Sequence, residues 1–446
     1  MKAFWTIVAG LALVTACADD GPDLASPIDP PDAESTITVD VELGEFWVRP
    51  ASIDVEPGTA ITMNVTNTGA MTHDLKVNGT DGTEMLDPGE SETITVGPFS
   101  ATTEAWCTVP GHREAGMSMD IVVTGAATET TDGGHDGHGE VATGDFAEID
   151  FNVAPGEGWQ PFDPTLEPAP GGTEHELTLV ADEIVMEVAP GVTQEMWVFN
   201  GTYPGPILRG KVGDIFTITL VNDGEIGHSI DFHSSKVAWN DEMRTIAPGE
   251  SLVYQFEAKH AGMFMYHCGT SPVIHQIGNG MFGAIIIDPP DLPDVDHEFV
   301  FVQSEIYTGP MEAPGDLTKM LDDAWDAVVF NGYVNQYLHA PIRVETGERV
   351  RAWVLDAGPS ENSSFHIVGT IFDTVYKEGV LLLEPDETRG GAQALDLQPA
   401  QGGYVEFTFD EDGLYPIVTH KFSNASKGAL GVFQSGEVDV EGGVSH

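Results

Sequence analysis

The sequence predicts an all-β chain of three tandem β-sandwiches, and three observations predict it. Gly 51 and Pro 29 are spread over 446 residues, and these turn formers separate short Val-, Ile- and Thr-rich runs, the pattern of strands. The length is comfortable for three domains of ordinary size. From about residue 166 the chain also repeats itself. Val198-Phe199-Asn200-Gly201, then Pro204-Gly205-Pro206-Ile207 and Gly213-Asp214, returns as Val329-Phe330-Asn331-Gly332, then Pro341-Ile342 and Gly347-Glu348. Two related sandwiches in tandem explain that repeat. Lys+Arg 17 against Asp+Glu 72 gives a formal charge of −55, which argues against nucleic acid or anionic lipid as a partner and reads as a solvated acidic surface.

In chain order, residues 1–17 resemble a bacterial lipoprotein signal. Lys2 leads an apolar run through Val8, Leu11 and Leu13 into Val14-Thr15-Ala16-Cys17, in which Cys17 is lipidated and becomes the mature N-terminus. The protein is therefore expected to be exported and held on the outer face of the cell membrane or in the periplasm, touching membrane only through its lipid. Residues 18–35, rich in Asp, Pro and Ser, form a tether. Residues 36–125 alternate apolar and polar in runs such as Ile61-Thr62-Met63-Asn64-Val65 and Thr93-Ile94-Thr95-Val96, broken by turn signals, and predict the first sandwich. Residues 126–165, with His135 and His138 in a Gly- and Asp-rich stretch, read as a flexible polar linker. The second and third sandwiches occupy 166–290 and 291–440.

The chemistry concentrates in His228-Ser229-Ile230-Asp231-Phe232-His233 and Met265-Tyr266-His267-Cys268. On an extended strand neighbours face opposite ways, so His228 and His233 serve different sides, and Asp231 shares a side with His233. His267 and Cys268 divide in the same way. Cys268, His228, a second imidazole and the Met281 thioether make a soft set suited to copper that shuttles electrons. His233 and His267 begin an imidazole set suited to copper that binds substrate. In the first sandwich His73, then Cys107, His112 and Met117 on one closing loop, resembles the blue-copper cupredoxins. With Cys107 and Cys268 both beside copper-type ligands, no disulfide is expected.

Residues 166–440 resemble a copper-containing nitrite reductase of the multicopper oxidase superfamily. The residues that carry the resemblance are His228-x-x-Asp231-x-His233, His267-Cys268, His366 in Phe-His-Ile-Val-Gly and His420 in Ile-Val-Thr-His. The fold it implies is three tandem cupredoxin-like Greek-key β-sandwiches, the first being an extra electron-transfer module that some members carry. It further implies a homotrimer in which His233, His267 and a neighbour's His420 hold the catalytic copper. Asp231 and His366 would flank nitrite and supply protons, and Val368 would limit how nitrite lies. The implied reaction is dissimilatory one-electron reduction of nitrite to nitric oxide, with three coppers per chain and an external donor such as a c-type cytochrome or small copper protein.

The chain departs from the family at one position. The second histidine of the electron-transfer copper lies five before the methionine in that family, as His112 lies before Met117, but five before Met281 stands Gln276, with His275 beside it. A one-residue shift of the loop brings His275 in; otherwise Gln276 is a weak ligand or the site is empty. Two other functions stay open. One is a copper-binding electron-transfer lipoprotein without turnover. The other is a laccase-like oxidase, which needs His-x-His pairs that this sequence lacks.

Overall fold

The computed structural model describes residues 35–44, 47–69, 72–109, 112–113, 117–124, 146–385 and 390–438. Cys17, His135 and His138, with the expected signal and tether, lie outside the described residues. The described strands gather into six sheets, two for each of three successive stretches of chain. Each stretch pairs its first long strand in parallel with a later one: Ser35–Gly44 with Thr59–Asn67, Glu174–Ala189 with Ile215–Asn222, and His297–Ile306 with Arg349–Gly358. The repeat seen in the sequence is thus a repeat of topology, and it extends to the first sandwich as well.

Alternation of apolar residues along these strands builds the interiors. Thr59–Asn67 buries Ile61, Met63 and Val65 and leaves Thr62, Asn64 and Thr66 half-buried. In the middle sandwich Phe216, Ile218 and Leu220 point inward with Phe232, Tyr254 and Tyr266. A further cluster joins the second and third sandwiches: Met196, Met263, Met265 and Phe282 pack with Val300, Val302, Trp353 and Tyr404. Tyr203 crosses this junction, its hydroxyl 3.0 Å from Ser304 Oγ. Gly332 (φ +85°) lies so close that a Cβ there would come within 2.4 Å of the Tyr203 carbonyl oxygen, so only glycine fits.

The stretch expected to be a polar linker differs in its second half. Residues 146–165 carry no strand, yet they lie along the third sandwich. Ala147 N–H donates to Gly309 O (3.0 Å), Val300 N–H to Pro164 O (2.8 Å), and Phe162 N–H to Gln336 Oε1 (2.8 Å). The physical reason is apolar burial, because Ala147, Ile149, Phe151 and Phe162 pack against the shared cluster.

Candidate metal centres

In the first sandwich the strand Thr103–Trp106 ends at Cys107, and the loop behind it returns His112 and Met117 to the interior. His73 Nδ1 and His112 Nδ1 are 3.2 Å apart, and Cys107 Sγ lies 3.9 Å and 3.5 Å from them. Met117 is fully buried beside them. Two imidazole nitrogens and a thiolate sulfur converging in an apolar interior fit a soft metal ion. Burial pushes the Cys107 thiol up to about 11, and a bound cation reverses such a shift.

In the second sandwich Cys268 Sγ lies 3.9 Å from His228 Nδ1, the Cys–His distance of the first site. The group facing His228 Nδ1 is Gln276 Oε1, at 3.2 Å, and this corrects the expectation for His275. Residues Val273–Gly278 form a short helix, and neighbours on a helix point about 100° apart. The His275 ring is therefore turned to Gly315 O (3.2 Å) and lies against Trp197, centroids 4.6 Å apart. Met281 is fully buried at the same place.

Sequence reasoning missed Glu183, whose Oε1 lies 2.5 Å from His228 Nε2. It stands on Glu174–Ala189, far upstream, with no local motif to mark it. Ser229 was also missed. Its N–H reaches Cys268 Sγ at 3.3 Å, while its hydroxyl accepts from Gly269 N–H (3.0 Å) and Thr270 (3.1 Å). Burial alone would lower His228, but hydrogen bonds to Cys268 and Glu183 raise it to about 9. Cys268 is held below the usual thiol range because His228 outweighs its burial.

The third candidate centre lies on the other face of the second sandwich's His267-Cys268 strand end. Asp231–Phe232 pairs antiparallel with Gly262–His267, and this register sets Asp231 opposite His267. His233 follows, its N–H donating to Met265 O (3.0 Å). Asp231, His233 and His267 offer ligand atoms all within 4.8 Å of one another. His267 Nδ1 is 2.8 Å from the Cys268 carbonyl and donates to it, so Nε2 carries the lone pair. That lone pair faces His233 Nε2 at 3.0 Å. Burial and the neighbouring His267 hold His233 below its ordinary value, favouring the neutral, metal-binding form. Two imidazoles converging on one point with a carboxylate beside them fit a cation.

His366 and His420 do not join that cluster. They stand together on the third sandwich, ring centroids 5.4 Å apart, because Ser363–Ile367 pairs with Gly413–Thr419. His366 Nδ1 is engaged by Gln393 O, and His420 N–H donates to Ser364 O at 2.7 Å. Phe422 (57 % exposed) meets the His420 ring with centroids 4.8 Å apart, and Val368 (39 %), two residues beyond His366, is also open to solvent.

Comparison with known proteins supplies the family. Residues 181–292 match the family model described as multicopper oxidase. The chain is similar to the copper-containing nitrite reductase of Neisseria meningitidis serogroup A, 35 % identical over 271 residues, covering 58 % of this chain and 68 % of the relative. The chain belongs to the copper-containing nitrite reductase family. As a copper-containing nitrite reductase homologue it is an oxidoreductase, and solved structures concur. The copper nitrite reductase of Nitrosomonas europaea matches at TM-score 0.54 and 34 % identity, over 61 % of this chain and 98 % of that one. That of Thermus scotoductus matches at TM-score 0.53 and 30 % identity, over 59 % and 62 %. Matches to a Botrytis aclada laccase at 20 % identity share the fold alone.

Proposed function

We propose that this chain reduces nitrite by one electron to nitric oxide, NO2− + 2 H+ + e− → NO + H2O. The reaction is placed at His233, His267 and His420 of the partner subunit, with Asp231 and His366 as the groups that move protons. The observation that carries the reading is the Asp231–His233–His267 cluster, whose ligand atoms lie within 4.8 Å of one another and which shares the His267-Cys268 peptide with a thiolate site. Copper bound there would supply the electron and an open position for nitrite.

Each residue has a part that its surroundings support. His267 is fixed by its bond to the Cys268 carbonyl, so its Nε2 stays a lone-pair donor. Asp231 Oδ2, 3.9 Å from His233 Nε2, is half-buried and can accept a proton from solvent and pass it to a bound oxygen. His366, anchored through Nδ1, keeps Nε2 for the same work on the other flank. The exposed apolar side chains of Phe422, against His420, and Val368 support a homotrimer in which a partner subunit covers that face. The first sandwich, with Cys107, His112, His73 and Met117, would receive electrons from an external donor.

Cys17 would carry the lipid that fixes the exported protein to its membrane. A copper carrier without turnover is the reading that Gln276 favours, since it stands where a ligand imidazole is expected.

The test is nitrite consumption and nitric oxide release by copper-loaded protein with an artificial reductant, run beside a metal count. Turnover with three coppers per chain is expected. No turnover with two or fewer would leave the carrier in its place.

A further inference from the structure

One set of hydrogen bonds recurs in all three sandwiches and identifies corresponding side chains without reference to sequence spacing. In the first, Cys107 N–H donates to Met117 O (3.0 Å) and Met117 N–H to His112 O (2.9 Å). In the second, Cys268 N–H donates to Met281 O (3.0 Å) and Met281 N–H to Gln276 O (3.0 Å). In the third, Thr419 N–H donates to Ala429 O (3.4 Å) and Ala429 N–H to Asn424 O (3.1 Å). A backbone N–H also reaches each strand-end side chain: Asp74 to Cys107, Ser229 to Cys268, and Ser364 to Thr419. His112, Gln276 and Asn424 therefore hold one position.

Side chains agree with that frame. His112 Nδ1 lies 3.2 Å from His73 Nδ1, and Gln276 Oε1 lies 3.2 Å from His228 Nδ1, while the first Cys–His distance is 3.9 Å in both. Gln276 is itself 3 % exposed, so its amide is committed to the interior.

We propose that the second sandwich binds copper through Cys268 Sγ, His228 Nδ1, Met281 and the side-chain oxygen of Gln276, with Glu183 as the positioning residue behind His228. This deepens the copper reading given above and rests on it. An amide oxygen is a harder donor than imidazole and favours the cupric state. A carboxylate hydrogen-bonded to the far nitrogen makes the remaining imidazole a stronger donor, with the same effect. The second thiolate copper accordingly has a lower reduction potential than the first and a different thiolate absorption.

The test uses the full copper-loaded chain with Cys107→Ser, which silences the first thiolate, and Cys268→Ser, which silences the second. Visible absorption, paramagnetic resonance, a copper count and a reductive titration are read on each. Cys107→Ser is expected to keep a thiolate-to-copper band distinct from that of Cys268→Ser, and to titrate at lower potential. Adding Gln276→His should shift that band toward the first site's and raise the potential, while His275→Ala should change neither band nor copper count. Loss of all thiolate-copper absorption in Cys107→Ser, its loss in His275→Ala, or an unaltered spectrum in Gln276→His would each overturn the assignment. Nitrite turnover is scored separately, so a Gln276-dependent band without turnover refutes the reductase and not this ligand set.

Discussion

Glu305 gives the most quantitative prediction. It sits on His297–Ile306, 1 % exposed, and accepts from Ser360 N–H (2.9 Å), Glu361 N–H (3.2 Å) and the Tyr307 hydroxyl (3.0 Å). Those bonds fix the turn that leads into Ser363–Ile367, the strand carrying His366. Burial pushes the Glu305 carboxyl from an ordinary 4.5 up to about 7. A carboxyl raised in the folded state binds its proton more tightly there than in the unfolded chain, so its stability contribution is full below about pH 4.5 and is lost as pH rises toward about 7. At about 1.4 kcal/mol per tenfold change in proton affinity, the loss amounts to roughly 3 kcal/mol. Glu305→Gln keeps the group neutral and removes that slope. Asp356, which burial and Glu305 push well above the carboxylate range, relaxes in the variant and adds to the difference in the same sense. The assay is denaturant unfolding of copper-loaded wild type and Glu305→Gln at a series of pH values, followed by tryptophan fluorescence. The stability difference should move in favour of the variant by roughly 2 to 2.5 kcal/mol between about pH 5 and pH 7.5. A difference that stays flat across this range would refute the reasoning.

Asp231→Asn and His366→Ala should leave both thiolate absorptions in place while nitrite turnover collapses by at least about 100-fold, the scale of a lost proton donor; retained turnover removes them from that role. His420→Ala should lose one copper per chain without altering either thiolate spectrum, as a metal count will show. Mixed assemblies of His233→Ala and His420→Ala chains should regain activity that neither has alone, because some shared sites then draw every ligand from intact positions; no recovery after reassembly argues that the site lies within one subunit. Arg351, 1 % exposed, is held by Glu406 (2.5 Å), Glu298 (3.4 Å) and the Pro293 carbonyl (2.6 Å). Arg351→Ala takes one of two arginines from each carboxylate, leaving Glu406 with Arg349 and Glu298 with Arg209, and should cost about 1.5 to 3 kcal/mol in denaturant unfolding.

The two faces of the His267-Cys268 dipeptide were legible in the sequence because strand alternation is a local rule, and the structure adds the antiparallel register that brings Asp231 across from His267. The position of Gln276 was half legible. Its spacing from Met281 matches that of His112 from Met117, but Val273–Gly278 carries no helical signature in so short a segment, so the turn that directs His275 away was not visible. Glu183 was out of reach for another reason. Its contact with His228 joins two strands through tertiary packing, and no periodicity in either strand encodes it. Residues 146–165 misled because their apolar residues are spaced singly, each finding its own niche on the third sandwich.

The hydrogen-bonded frame around Thr419, Asn424 and Ala429 surrounds only a hydroxyl, an amide and a methyl group, and still closes. Its shape is therefore a property of the folded backbone and does not wait for a metal to gather it. The cradles around Cys107 and Cys268 use the same backbone frame, so the side chains set into it, and not the frame, decide what each can hold. Within a single polypeptide the three cradles form a graded series, from two imidazoles to one to none, in which each serves as the internal control for the others.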